Sequence, residues 1–514
     1  MKLDALLAGL DPVHLMGSPE TEISEISIDN RRCPAGSLFV CIKGYAADGH
    51  QYAISAVENG AAAILAQDAQ ALIQSEDALR TGAMLTDQGL TVGGKTVPVA
   101  ITDHTRFGLS FVSDALYGHP SGKLRLIGVT GTKGKTSTTY MLRAIYQAAG
   151  QKTGLIGTIC NMIGDRELPT ERTTPEANIL QALLHTMTEE QIRTCMMEVS
   201  SQGLHLDRVS HCTYSTAVFT NLTPDHIGAT EHTDMDDYAH AKAKLFTMCR
   251  RALINGDSPY AGMMIQTARE NGAEVYTYGL EEDRDFRAEH IETEHDHVAY
   301  DVRIPCGRSF ETIHVYVPCP GRFSVYNSLA ALACAYLEGI PPECAIDGLR
   351  HVFVKGKAEN VPTGRDFSVL IDYAHNPDSF INILTTVKEY AKRTVFLFGC
   401  GGDRNRPRAL MGKTAGEYAD LTIITSDNPR SEDPEAIIRD IEEGIRPTGA
   451  PYLCITDRKE AIAYALRHAQ PGDVIILAGK GHETEQILKD RTIHFDEREV
   501  VREILQQMRA EEQK

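Results

Sequence analysis

Residues 124–150 read LRLIGVTGTKGKTSTTYMLRAIYQAAG. An apolar strand, Leu126 to Val129, meets a glycine-rich loop. A helix follows, with Met141, Leu142, Ile145 and Ala148 along one apolar face. Strand, loop and helix in that order are what a phosphate-binding loop needs. The backbone N–H groups of Gly131, Thr132, Lys133 and Gly134, with those of the first helical turn, are placed to cradle phosphate oxygens. Lys135 reaches the terminal phosphates, Thr136 offers a hydroxyl to Mg²⁺, and Ser137 follows in the same turn. The standard spacing asks for glycine at position 129, which is Val129, so the loop is a GTxGKT variant.

Outward from this loop the chain divides into three blocks, as a length of 514 residues suggests at about 150 residues per domain. Residues 1–104 mix short strands with an alanine-rich helix: SLFVCIKG (37–44) reads as a strand, and YAISAVENGAAAILAQ (52–67) as helix, glycine stop and buried strand. VAITD after Pro98 closes the block, and a helix begins near Thr105. Residues 105–350 hold the phosphate loop, two strands ending in polar residues (CMMEVSS, 195–201, and STAVFTNL, 215–222), a charged stretch at 281–305 and a helix at 325–340. The charged stretch reads as a solvated meander of strands. Residues 351–514 repeat one pattern four times: FSVLIDYAHNPDS (367–379), TVFLFGCGGDR (394–404), LTIITSDNPR (421–430) and DVIILAGKGHE (473–483). Each is an apolar run ending in a polar loop before a helix, the signature of a parallel sheet. Ligands of such sheets bind beyond the carboxyl ends of the strands, where these loops fall. The fold class is therefore α/β.

Composition narrows the function. Hydrophobic residues are 42% and charged residues 24%, ordinary for a chain with packed cores. The net charge of −19 argues against general binding of nucleic acid or anionic membrane. Twelve cysteines form no CxxC pair, which argues against a zinc ribbon and for buried thiols in a reducing compartment. The opening MKLDALLAGLDPVHL carries Asp4 and Asp11 inside its apolar stretch, unlike a secretion signal. No run approaches about 18 apolar residues, the length of a membrane span. The expectation is a cytoplasmic protein with no membrane insertion.

Glu198 ends the strand of MEVSS, and His226 lies in NLTPDH after another strand. Beside a nucleotide loop, a carboxylate and an imidazole suit a second Mg²⁺ or the reacting phosphate. By residue type alone, each also reads as a surface polar group.

These residues bring a family into view. GTKGKTS, TTPE (173–176), EVSSQGLHLDR (198–208), NLTPDH, AHAKAKLF (239–246), FSVYNSLAA (323–331), DYAHNPDS, GCGGDR, SDNPR and AGKGHE resemble, in that order, the Mur ligases. The resemblance spans essentially the whole chain. It implies three α/β domains: an N-terminal uridine-nucleotide domain, a central P-loop ATPase-like parallel sheet and a C-terminal Rossmann-like parallel sheet. It implies a monomer that uses ATP and Mg²⁺ to join a carboxylate to an amine through an acyl phosphate. The member implied extends UDP-N-acetylmuramoyl-L-alanyl-D-glutamate with meso-diaminopimelate.

The resemblance also implies roles. Lys135, Lys242, Glu198 and His226 are catalytic. Thr136, Glu198, His226 and Lys242 hold magnesium, Lys242 as a carbamate (N6-carboxylysine). Lys244 lies two residues further on, about 200° round a helix from Lys242. Gly131 to Ser137, Asn327 and His375 bind ATP. Ile28 and Asn30, in ISIDNRR (26–32), bind the UDP substrate, with Asn30 where serine is usual; KGYAADGH (43–50) resembles a second uridine loop. Thr173, Thr174, Ser200 and Arg208 hold the sugar peptide, although Leu206 and Arg172 depart from family residues that contact it. Arg404, Asp427, Asn428, Pro429, Arg430, Gly479 and Glu483 form the diaminopimelate site, where arginine forks suit carboxylates. The alternatives are an L-lysine-adding member, which Arg430 argues against, and a folylpolyglutamate synthase-like ligase, which the uridine-type block argues against. From another class, a catalytically dead nucleotide-binding module is opposed by the intact Lys135, Thr136, Glu198, His226 and Lys242.

Overall fold

In a computed structural model, residues 1–44, 47–224, 227–228, 231–294, 296–307, 309–352, 354–403 and 407–512 are described. His226 and Arg404, and Tyr45 and Ala46 of the second uridine loop, lie outside them. The chain forms two compact units: residues 1–135 with 150–277, and residues 136–149 with 278–514.

The first unit holds two sheets whose strand ends carry polar loops. In the N-terminal sheet, strands Glu25–Ser27, Ser37–Val40, Ala63–Ala66 and Val99–Thr102 run parallel, and Val13–Met16 closes the edge antiparallel. Helix Ala53–Asn59 stops at Gly60, whose φ of 135° only glycine adopts readily; a side chain there would meet the backbone of residues 33–35. The antiparallel ribbon Met84–Thr86, Gly89–Val92 and Lys95–Val97 adds Leu90, Val92 and Val97 to the core beneath.

In the central sheet, strands Thr153–Ile156, Thr194–Glu198, Arg125–Thr130, Tyr214–Phe219 and Cys249–Asn255 run parallel in that spatial order. Asn161–Ile163 and Arg166–Leu168 extend it antiparallel. The strands are apolar along their length because both faces are covered. Glu198 at the end of Thr194–Glu198, Gly131 after Arg125–Thr130 and Asn221 after Tyr214–Phe219 thus emerge along one edge.

In the second unit, the helix after the phosphate loop buries Met141, Leu142, Ile145 and Tyr146, while Ala148 is exposed rather than part of the apolar face. Gly348 of helix Pro342–Arg350 lets that helix meet the backbone at Ile145; a Cβ would come within 2.6 Å. The charged stretch 281–305 is a meander with one face towards solvent and the other buried. Tyr300, Val302 and Ile304 alternate inward from strand Val298–Cys306, paired with Phe286–Thr293 and Ser309–Val317. Period-2 alternation hidden among charges is what a half-buried antiparallel sheet requires. Helix Arg322–Leu337 buries nearly every side chain from Ser324 to Ala335.

The C-terminal sheet orders Ser368–Asp372, Asp473–Ala478, Arg393–Phe398, Leu421–Ile424 and Tyr452–Cys454, all parallel, with Glu359–Val361 antiparallel at one edge. Three of the four strand–loop units lead into helices. The fourth, after Asp473–Ala478, leads into the hairpin Glu485–Ile487 with Thr492–His494. Beneath the strand ends, Arg458 donates to Glu497 at 2.8 Å and to the carbonyl of Ala478 at 2.8 Å, and both side chains are fully buried. Burial raises the Glu497 carboxyl and Arg458 opposes the rise. Arg458→Ala strands that carboxylate, so it should lower unfolding free energy by about 3–5 kcal/mol in urea titrations.

Candidate active site

The phosphate loop is held from below by the next strand end. Asn221 accepts from Thr132 N–H through its carbonyl (2.9 Å) and from Lys133 N–H through its side chain (2.9 Å). Thr220 Oγ1 and Asn221 Nδ2 donate to the Lys133 carbonyl at 2.6 and 3.1 Å. Gly131 sits so close to Thr220 that a Cβ would come within 1.9 Å of its hydroxyl. The loop shape is therefore set by contacts that reject any larger residue at 131. Lys135 Nζ donates to the Gly131 carbonyl (2.8 Å) and the Thr132 carbonyl (3.0 Å), so its ammonium lies over the loop.

Lys242 reaches the same place from helix Met235–Ala243. Its Nζ donates to the Gly131 carbonyl at 3.0 Å and lies 4.5 Å from the Tyr238 ring centroid. The side chain is 1% exposed, while Lys244 is exposed. Lys242 is thus no solvated helix lysine. Tyr238 is part of the same brace, its hydroxyl 3.2 Å from Thr132 Oγ1.

Glu198 is 1% exposed, and both its oxygens accept from Thr158: Oε1 from the backbone N–H at 2.9 Å, Oε2 from the hydroxyl at 3.0 Å. Thr158 Oγ1 is also 3.0 Å from Thr173 Oγ1. Thr174 donates to the Glu198 carbonyl and accepts from Ser200 N–H, each at 3.0 Å. Arg208 donates to the Thr174 carbonyl at 3.1 Å and pairs with Glu176 at 2.9 Å. Ser200 caps the short helix Ser201–His205. Five residues singled out in the sequence (Thr173, Thr174, Glu198, Ser200 and Arg208) are therefore one hydrogen-bonded cluster. Thr158, which joins Thr173 to Glu198, carries no motif and was missed. So was the group His205, His232 and Asp237, whose ligating atoms lie within 4.8 Å of one another.

Ile28 and Asn30 lie in the turn after strand Glu25–Ser27, where Asn30 donates to Ser55 Oγ at 3.0 Å. Asn327 is buried on helix Arg322–Leu337. His375 precedes the capping box of helix Pro377–Lys388, and its ring sits edge-on to Tyr373, which also meets His482. Burial and nearby Lys357, Lys355 and Arg498 pull His482 down to about 4, so it is neutral at neutral pH.

The described residues expected to take the amino acid, Asp427 to Arg430 with Gly479 and Glu483, lie on two strand-end loops, after Leu421–Ile424 and Asp473–Ala478. Gly402 N–H donates to the Asn428 carbonyl at 2.9 Å, and a Cβ on Gly402 would come 1.9 Å from the Pro429 carbonyl. Asn428 Nδ2 donates to Glu483 Oε2 at 2.9 Å. Arg430 has φ 50°, a left-handed backbone; its N–H donates to the Ile487 carbonyl and its guanidinium to the Gly402 carbonyl, both at 3.1 Å. Its side chain is part-buried. The missed member of this cluster is Lys480, between Gly479 and Gly481.

With this geometry in place, comparison with known proteins is informative. Three family descriptions match in chain order: "Mur ligase family, catalytic domain" over 22–92, "Mur ligase middle domain" over 129–335 and "Mur ligase, glutamate ligase domain" over 358–481. A protein of Caldanaerobacter subterraneus named UDP-N-acetylmuramoyl-L-alanyl-D-glutamate--2,6-diaminopimelate ligase is 45% identical, covering 98% of this chain and 99% of its own. The chain belongs to the Mur ligase family. A solved structure of a ligase with that name aligns with a TM-score of 0.68 at 27% identity, over 99% of each chain. A folylpolyglutamate synthase of Mycobacterium tuberculosis aligns with a TM-score of 0.59 at 18% identity, over 73% of this chain and 91% of that one, a likeness of fold. The mixed α/β architecture is the three-domain fold of Mur ligases. Among the described residues, no helix is long and apolar enough to cross a membrane.

Proposed function

We propose that this Mur ligase adds meso-diaminopimelate to UDP-N-acetylmuramoyl-L-alanyl-D-glutamate, forming ADP and phosphate, in the cytoplasm and as a monomer. The end-to-end match to ligases named for that reaction carries the reading. Its domains are 1–104 for the uridine nucleotide, 105–350 for ATP and 351–514 for the amino acid.

The chemistry follows from the residues. The loop N–H groups of Gly131 to Gly134, with Lys135, seat the phosphates of ATP; Ser137, Asn327 and His375 complete the nucleotide site. Ile28 and Asn30 hold the uridine, and Thr173, Thr174, Ser200 and Arg208 orient the peptide whose carboxylate takes the γ-phosphoryl group. The amine of diaminopimelate then attacks the acyl phosphate, and phosphate leaves. Thr136 and Glu198 offer hard oxygen donors suited to Mg²⁺, and carbamylated Lys242 would add a third; His226 completes the proposed set. The ion would neutralise charge on the transferring phosphoryl group. Thr158, with two hydrogen bonds to Glu198, sets the orientation of that carboxylate.

Arg404, Asp427, Asn428, Pro429, Arg430, Gly479 and Glu483 select the amino acid. meso-Diaminopimelate is lysine with one further carboxylate, and Arg430 is the cation proposed to receive it. A charge-assisted hydrogen bond contributes roughly 1.5–3 kcal/mol, or one to two decades. Arg430→Ala should therefore raise KM for diaminopimelate by about that factor and narrow its advantage over lysine. Lys in its place should rescue poorly, lacking the planar fork. ADP release with the UDP-dipeptide and each amine in turn tests both claims. A wild type that prefers lysine would overturn the assignment of substrate, and a variant that keeps its discrimination would overturn the role of Arg430.

A further inference from the structure

Lys480 is fully buried, on the loop that follows strand Asp473–Ala478. A cation taken out of water must be compensated by its neighbours. Its Nζ donates to Asn428 Oδ1 at 3.1 Å, to Glu483 Oε2 at 3.2 Å and to Asp427 Oδ1 at 3.4 Å. All three partners are residues already assigned to the amino-acid site, although they come from two separate loops.

The network leaves little freedom to those partners. Asn428 Oδ1 also accepts from Ile487 N–H at 3.0 Å, so two donors fix which end of the amide faces Lys480. The amide nitrogen is thereby turned to Glu483, where it donates to Oε2 at 2.9 Å. Oε2 thus takes two donors, Asn428 Nδ2 and Lys480 Nζ. The Asp427 carbonyl is pinned in turn by Gln486 Nε2 at 2.7 Å. One ammonium against two carboxylates leaves the cluster with one net negative charge.

We propose that Lys480 is the positioning residue of the amino-acid site. It cancels one of the two carboxylate charges, fixes the Asn428 amide and turns Glu483 so that Oε1 is presented to a ligand ammonium. The ligand it favours is an amino acid carrying a second, cationic amine. The inference rests on the proposed diaminopimelate site. It assigns Lys480 no contact with substrate.

Removing one partner of a buried ion pair costs stability whatever its functional role, so loss of stability does not separate a folding role from a positioning one. The decisive readout is therefore a split between KM and kcat. ADP release by the full chain is followed against meso-diaminopimelate at saturating ATP and UDP-dipeptide, for wild type, Lys480→Met and Lys480→Arg. Loss of the ammonium leaves the Asp427 and Glu483 carboxylates without their shared cation and the Asn428 oxygen with Ile487 N–H as its donor, so Lys480→Met should raise KM for the amino acid about tenfold or more. KM for ATP should stay within about twofold, since those contacts are untouched. Lys480→Arg keeps the charge with a wider head and should raise KM in the same direction by a smaller factor; it also serves if Lys480→Met does not fold. KM for diaminopimelate unchanged in either folded variant, or a fall in kcat alone, overturns the positioning role. A wild type that releases no ADP with diaminopimelate overturns the underlying site assignment as well.

Discussion

Lys135→Ala is expected to lower ADP-forming turnover by roughly 10³-fold or more, the scale seen when a donor aimed at a developing phosphoryl charge is removed. Its ammonium lies over the phosphate loop, on the carbonyls of Gly131 and Thr132. Ile28 and Asn30, proposed to hold the uridine, lie in the turn after strand Glu25–Ser27, which belongs to a different sheet. Calorimetry with the UDP-dipeptide should therefore report an affinity within about twofold of wild type, because distant sites act independently. Near-normal turnover in the variant would remove the loop from the mechanism.

The second large effect belongs to Lys242. Its Nζ shares the Gly131 carbonyl with Lys135, and Lys242 itself is almost without solvent contact. Reaction of the neutral amine with CO₂ gives a carbamate, which replaces one of two positive charges by a negative one. Lys242→Ala should lose about 10²–10³-fold in turnover, on the scale of other electrostatic groups at transition states. Short-chain carboxylic acids should restore part of the loss, since they return an anion to the cavity left by the side chain. Wild-type activity should fall when bicarbonate is removed. Mass spectrometry under native conditions, or a crystal structure with ATP, magnesium and bicarbonate, reads the modification directly; an unmodified lysine in that structure would refute it.

The phosphate loop was legible because strand, glycines and helix are contiguous, and the structure begins its helix at Lys135 as the motif requires. The strands of the last block were legible for the same local reason: uninterrupted apolar runs ending in glycine, proline or asparagine. Burial was harder to read. Helix Met235–Ala243 has the sequence MDDYAHAKA, with no apolar stripe to show that Tyr238 and Lys242 face inward. Thr158 left no trace, since its pairing with Glu198 spans 40 residues and any threonine could do it. Lys480 did leave one: a lone cation between glycines, just after the apolar run Val474–Ala478, seldom points to solvent. The hairpin after that strand was missed because three-residue strands such as Glu485–Ile487 are too short to show a period.

The left-handed backbone at Arg430 bears on how this enzyme responds to engineering. A non-glycine residue held at such a φ is strained by about 1–2 kcal/mol. Glycine or asparagine would relieve that strain and leave the Ile487 and Gly402 backbones where they are. Selection for thermal resistance alone would thus favour replacing the side chain on which substrate choice is proposed to depend. A library screened for heat tolerance and one screened for discrimination between diaminopimelate and lysine should diverge first at this position.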